Sequence, residues 1–313
     1  MTAGFQTQVY IRQAPGLEGD FAGANPRASV YAGEGALVAG LLGVTVGRFA
    51  WAGSQMVCDN FGAGAPTGFV GRHQQSLITT YLAETSLVIP KGFNMTLYNA
   101  GSFYVRSSTA VTKGMKAYAD NSTGLVTFAA TASPTAGFSH TASIAAGTGS
   151  ATLATISGNI MTIPSGSTVA GGFYRGGTLS GTSVTSGTKI VEQLSGTSHG
   201  IGQYMVYPGD QSVTATTISE THGVMTSTVA STGLIEVGDL ITAGGGGNTA
   251  TVAGTQVTEL GTGSGGTGTY IVDNNTVVTS GVIAGPANVE TKWVAANNCA
   301  ADELCVMTSW LDG

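Results

Sequence analysis

Large apolar and aromatic side chains are concentrated in one stretch of this sequence, Thr67 to Val105, and any core the chain builds is organised around it. Phe69, Leu77, Ile78, Tyr81, Phe93 and Phe103 are among them, and most other segments are diluted by Gly, Ser, Thr and Ala. Trp51 and Trp293 are the candidate core residues outside the stretch. Its second half reads as a hairpin: Leu87-Val88-Ile89, turn chemistry at Pro90-Lys91-Gly92, then an extended pattern from Met95 through Tyr98. A further turn at Asn99-Ala100-Gly101 leads into Phe103-Tyr104-Val105. In the first half, Leu77, Ile78, Tyr81 and Leu82 fit a helical face, but Ile78-Thr79-Thr80-Tyr81 favours β, and strand is the reading adopted.

The rest of the chain points the same way. Gly is 49 of 313 residues, roughly twice ordinary usage, and charged residues are 9%, against a usual ~25%. No apolar run approaches the ~20 residues that span a bilayer, and the first residues lack the basic start and apolar core of a signal peptide. The expectation is a soluble chain made in a cytoplasm, wetted by Ser and Thr rather than by ions. Thr and Val beside abundant Gly imply many short strands and tight turns, hence an all-β class. Cys58, Cys299 and Cys305 match no metal-ligand spacing, and free thiols are expected. A net charge of −6 disfavours nucleic acid as a partner. Residues 141–284 hold two basic and seven acidic side chains, a net −5 on one part of an otherwise nearly neutral chain.

Residues 1–50 carry turn-rich segments, Gln13 to Phe21 and Ala24-Asn25-Pro26-Arg27, and read as an extended arm. Val44 to Trp51 alternates as a strand. Residues 51–140 form a base β domain, with strands at Gly114 to Ala119 and Gly124 to Phe128 across an Asp120-Asn121-Ser122 turn. From Ala129 to about Ser150 the composition is that of a linker. An internal repeat follows. Met161-Thr162 recurs as Met225-Thr226, Gly187-Thr188-Lys189-Ile190 as Gly254-Thr255-Gln256-Val257, and Gly202-Gln203-Tyr204-Met205-Val206 as Gly268-Thr269-Tyr270-Ile271-Val272, at offsets of 64, 67 and 66. Two inserted β modules are expected, 150–218 and 219–284, and residues 285–313 complete the base.

Chemical motifs are thin. Gly196-Thr197-Ser198-His199-Gly200 matches a nucleophile elbow, but no helix follows, so a chance match is favoured. Gly263, Gly265 and Gly268 satisfy G-x-G-x-x-G, yet a strand follows where the dinucleotide motif needs a helix N-terminus. His73, His140, His199 and His222 are scattered, and hydrogen bonding suits them better than metal ligation. No catalytic residue, metal site or cofactor is expected.

Several separate motifs, in order, resemble the structural cement (capsid decoration) proteins of tailed bacteriophages. They are Gln13-Ala14-Pro15-Gly16, Gly19-Asp20-Phe21-Ala22, Ala24-Asn25-Pro26-Arg27, Val44 to Trp51, Thr67 to Val70, Gln75 to Glu84 and Glu290 to Trp293. The resemblance covers roughly residues 8–128 and 288–313. It implies a non-enzymatic virion protein on the outer capsid surface, bound to the major capsid protein, self-associated as a homotrimer, and bridging capsomers. The element at Gly101-Ser102-Phe103-Tyr104-Val105 and that at Gly71-Arg72-His73-Gln74 depart from the family pattern, as does the double repeat. On this reading a β-barrel- or sandwich-like base with its arm clamps the shell and the repeats project outward. Arg12, Arg27, Arg48 and Arg72 are the candidate capsid contacts, because guanidinium forks pair with carboxylates. A tail-fibre or receptor-binding protein recognising host glycans is the alternative. A secreted β-solenoid polysaccharide-degrading enzyme is a weaker one.

Overall fold

The computed structural model describes residues 16–32, 36–53, 56–72, 87–244 and 254–310. Every named element among them is a β-strand. Tyr81, Leu77, Ile78 and the question of helix or strand at 77–82 fall outside the described residues, as do Arg12 and His73.

Two sheets make the base. One has seven strands, in the order Ala28–Ser29, Leu97–Ala100, Gly68–Val70, Phe49–Ala52, Val57–Asp59, Leu37–Ala39 and Asn94–Met95. The other has five, in the order Ser102–Arg106, Leu304–Thr308, Asn288–Ala295, Lys116–Asp120 and Val126–Ala129. They pack face to face as a sandwich because each presents apolar residues at alternate positions. Phe49, Trp51, Phe69 and Tyr98 come from the first sheet, and Phe103, Phe128, Trp293 and Met307 from the second, in one buried cluster. Phe103 is the hub, with its ring 4.9 Å from Phe69, 5.3 Å from Tyr98 and 5.7 Å from Trp293. The opposite face of the seven-stranded sheet covers a second cluster that includes Leu37, Val44, Val70, Ile89 and Leu97.

Three sequence expectations change here. Leu87-Val88-Ile89 does not form a hairpin with the residues after Gly92. Val88–Ile89 pairs with Val44–Thr45, and Asn94–Met95 pairs with the Leu37–Ala39 strand. Phe93, placed in the core from its type, is 41% exposed. It sits at the end of the Pro90–Phe93 turn, where its backbone is bonded both to Pro90 and to Ala39. The region assigned to an arm contributes strands from Ala28 onward, and its Gly19–Ala22 segment is bonded to Ser102 and Tyr104. The expected 44–51 strand is broken at Gly47, at φ 80°, into two pieces lying in different sheets.

The residues read as a linker form instead the longest strand, Ala136–Gly158. Alternation survives in small side chains: Phe138, His140, Ala142 and Ile144 are buried in one half, Ala151, Ala154 and Ile156 in the other. This strand pairs along most of its length with a second long strand, Gln211–Thr232. The expected boundary at 218/219 therefore falls inside a strand that serves both modules.

The first module encloses the cluster of Ile156, Met161, Phe173, Tyr204 and Ile218. Its pairings form a closed ring: Ala136–Gly158, Ile160–Ile163, Gly202–Tyr207, Lys189–Gly196, Thr178–Gly181, Gln211–Thr232, and back to the start. The second module is built around Ile144, Met225, Val257, Tyr270 and Ile283. Repeat-equivalent residues occupy equivalent places, since Met161 lies opposite Tyr204 and Met225 opposite Tyr270. The long strand supplies both modules: Ile156 lies opposite Met161, and Ile144 opposite Met225. The chain leaves the base and returns to it side by side. Ala136 lies opposite Pro286, and the Ala287 N–H donates to the Thr135 carbonyl at 3.1 Å.

Candidate functional site

The candidate arginines divide by what holds them. Arg48 donates to the Thr123 carbonyl at 3.2 Å and is half-buried. Arg72 pairs with Asp20 at 3.2 Å, and Arg106 with Glu18 at 2.7 Å, so these two fasten the Leu17–Phe21 segment to the base. Both pairs are exposed, where such contacts contribute at most about 1 kcal/mol. Arg27 is exposed and its guanidinium stacks over the Phe21 ring at 4.0 Å. It lies beside Ala28–Ser29, an edge strand of the seven-stranded sheet. Tyr31 is 90% exposed just beyond, and the Trp310 indole donates to the Pro26 carbonyl at 2.9 Å. An arginine, a tyrosine and a tryptophan beside what is, among the described residues, a sheet edge combine the side chains that dominate protein interfaces with a strand edge. Sequence reasoning singled out Arg27 but not Tyr31 or Trp310, whose setting depends on chain ends meeting across 284 residues.

A second constellation lies where the modules meet the base. Asp59, almost fully buried in the base, accepts from Arg175 of the first module at 2.6 Å, and the Arg175 guanidinium also lies 5.0 Å from the Phe61 ring centre. Glu192 reaches the Leu41 backbone N–H, and burial first, then Asp59, holds its carboxyl above the ordinary range. From the second module, Glu236 accepts from the Ser122 hydroxyl at 2.6 Å. Asp59, Arg175 and Glu192 line a cleft of about 340 Å³ bounded also by Leu41, Leu42, Phe61, Phe173, Ile190 and Val237.

Into the same cleft projects an arrangement with the connectivity of a nucleophilic triad. Ser198 Oγ is 3.1 Å from His199 Nδ1, and His199 Nε2 is 2.9 Å from Glu259 Oε2. Acyl transfer also needs N–H donors aimed at the developing oxyanion. The neighbouring ones are committed: the His199 N–H to Gln193 Oε1 at 3.0 Å, and the Gly200 N–H to the Thr197 carbonyl at 2.9 Å. Ser198 sits at the tip of a strand-to-strand hairpin, not on a strand-to-helix elbow. Hydrolysis gets no support from this geometry.

The loops that carry the two glycine motifs are counterparts in the repeat. The hairpin ending at Tyr204 and the one ending at Tyr270 are the same device in the two modules. The Tyr204 hydroxyl donates to the Gly200 carbonyl at 2.6 Å, and the Tyr270 hydroxyl to the Gly266 carbonyl at 2.8 Å. Side chains at Gly263 would collide with the Tyr270 ring. In this alignment His199 occupies the place of Gly265. Both have positive φ, 57° and 102°, so His199 holds a conformation that glycine adopts at less cost.

His140 is buried between the Ser227 hydroxyl at 2.9 Å and the Gly233 carbonyl at 3.1 Å. His222 pairs with buried Glu220 at 2.8 Å, and Tyr174 lies between His222 and His199 at 4.5 and 4.4 Å. No group of three or more His, Cys, Asp or Glu able to hold a metal ion occurs among the described residues. The three cysteines are free thiols, and burial pushes both Cys58 and Cys305 up to about 12.

Asp239 gives the joint a pH dependence. Burial pushes its carboxyl from 3.8 up to about 7, the Glu236 N–H opposes the shift, and the Glu236 and Asp120 charges add to it. The folded form binds this proton more tightly than the unfolded chain. The associated stability is therefore fully present below about pH 4 and is lost as pH rises through 7. Replacing Asp239 with Asn should raise stability by about 1–2 kcal/mol at pH 8 and leave it nearly unchanged at pH 4. Thermal melts at the two pH values check this, and an equal shift at both would refute it.

A search of curated proteins finds no match. A family model described as XM1 gp53 minor capsid protein matches residues 5–161. That span covers most of the base, the whole of the Ala136–Gly158 strand and the first residues of the next.

Proposed function

The chain belongs to the XM1 gp53 minor capsid protein family, whose model matches half of it, and is a structural protein of the phage virion; from that membership we propose that it is a non-enzymatic cement protein bound to the outside of the head. It contacts the major capsid protein, bridges neighbouring capsomers as a homotrimer, and turns the acidic modules towards solvent. The family match carries this reading. The exposed Arg27, Tyr31 and Trp310 beside Ala28–Ser29, a sheet edge among the described residues, support a docking face on the base. The net −5 of residues 141–284 suits a part facing water, where like charge keeps particles apart.

Heads stripped of their labile proteins and re-incubated with the chain test the proposal. Cryo-EM should show base density on the outer shell at one class of symmetry axis, which also gives the oligomer. The double substitution of Arg27 and Tyr31 with Ala should reduce occupancy at least about tenfold, as expected for an aromatic and an arginine at an interface centre. Density at the tail alone, or full occupancy by the double variant, would overturn the proposed docking.

A further inference from the structure

The capsid reading uses the base and leaves unexplained why two modules are held against it around a furnished cleft. We propose that this cleft is a binding site for a neutral saccharide, a mono- or disaccharide unit of a longer glycan.

Shape is the first argument. The cleft of about 340 Å³ is concave and mainly apolar, and lies where three bodies of the fold meet, the usual setting of a ligand pocket. It does not end blindly. Leu42, Phe61 and Val237 also bound a second hollow of about 390 Å³ running between the base and the second module. The two hollows therefore adjoin across these three side chains.

Chemistry is the second. A sugar hydroxyl both donates and accepts, so its site needs fixed groups of both kinds over an apolar wall. Arg175 supplies the donors and is held by buried Asp59 at 2.6 Å. Glu192 and Glu259 supply the acceptors, and Glu259 is held by His199 at 2.9 Å. The Ser198 hydroxyl supplies both. Half-buried Phe61 provides a face for the C–H side of a ring. Pre-positioned groups of this kind lose little freedom on binding.

Charge selects among sugars. Three carboxylates, Asp59, Glu192 and Glu259, face one guanidinium and one imidazole in the cleft. A sialylated, sulfated or uronic acid ligand would meet this excess of like charge, whereas a neutral one would not.

The repeat supplies a third, independent observation. The two modules share their hairpin, and the second has Gly265 where the first has His199 at positive φ. A histidine held in a conformation better suited to glycine, and aimed into a cleft, marks a position kept for its side chain. The proposal stands apart from capsid attachment, since none of these residues is among those placed on the docking face.

The full chain, probed on an array of neutral hexose and N-acetylhexosamine oligosaccharides beside sialylated, sulfated and uronic acid glycans, tests it. Retention of neutral glycans is expected, with affinity confirmed by calorimetry on the strongest one. Glu192→Ala and His199→Gly should each weaken that binding at least about tenfold. His199→Gly keeps a foldable hairpin, because glycine already serves at that place in the second module. Leu42, 76% exposed at the mouth, gives a further variant: Leu42→Trp narrows the entrance without entering the core and should weaken binding too. Failure to retain any neutral glycan, preference for the acidic ones, or binding that survives all three variants would overturn the site.

Discussion

Truncating Phe103 to alanine should destabilise the base by about 3–5 kcal/mol, the range for large-to-small changes at fully buried aromatic positions. Its ring meets Phe21, Phe69, Tyr98 and Trp293 at centroid distances of 4.9–5.7 Å. Phe69 and Tyr98 belong to one sheet, Phe103 and Trp293 to the other, so the cavity would open at the plane joining the two. Collapse to fill it is resisted, because Phe69, Tyr98 and Trp293 are each pinned to a paired strand. Phe103→Leu should recover part of the loss by refilling volume. Denaturant melts followed by tryptophan fluorescence would report it, since Trp293 is one of the affected rings. A loss below about 1 kcal/mol would mean that the two sheets are held together elsewhere.

Replacing Asp59 with Ala is the second large effect. The carboxylate is almost fully buried, and Arg175 is about one third exposed. Loss of a buried charged partner commonly costs 3–5 kcal/mol. Solvent access to Arg175 reduces this, and about 2–3 kcal/mol is expected. The loss should appear as early release of the modules from the base rather than as global unfolding. Limited proteolysis at the residues joining them would increase while the base core kept its protection. The companion variant Arg175→Ala should cost as much or more, and the double variant should cost less than the sum. Strict additivity would show that the pair is not coupled.

Where the chain uses large side chains in alternation beside a recognisable turn, the sequence is readable. Lys116–Asp120 and Val126–Ala129 pair across the Asp120–Ser122 turn, and the two final strands pair with each other. The repeat is readable as well, because Tyr204 and Tyr270 recur at the same place in it, each bonded to the carbonyl of a glycine four residues before it. Ala136–Gly158 is hard to read because its alternation is written in small residues. Those residues are small for a reason invisible in one dimension: a side chain on Gly147 would strike the His222 ring, and one on Gly149 the Gly172 backbone. The 87–98 hairpin fails for a related cause. A turn fixes the chain's reversal but not the partner each strand takes, and distant strands offered better pairings. The cleft was not legible at all. Asp59 and Arg175 are 116 residues apart, and His199 and Glu259 are 60 apart. Ser198 and His199 did stand out, but as an enzyme signature and not as part of a joint.

The neighbouring exit and return of the chain, with Ala136 opposite Pro286 and Ala287 bonded to Thr135, has a consequence for how this molecule can change. The base sees everything between these points as a loop whose two ends touch. Ends that already meet impose almost no closure entropy, whatever the length between them. As far as chain closure is concerned the appendage is therefore exchangeable: a tight turn, a single module or an unrelated domain with adjacent termini would join the same two strands, provided that Asp59, left without Arg175, gave up its buried charge. Variation can work on the appendage without renegotiating how the base is built.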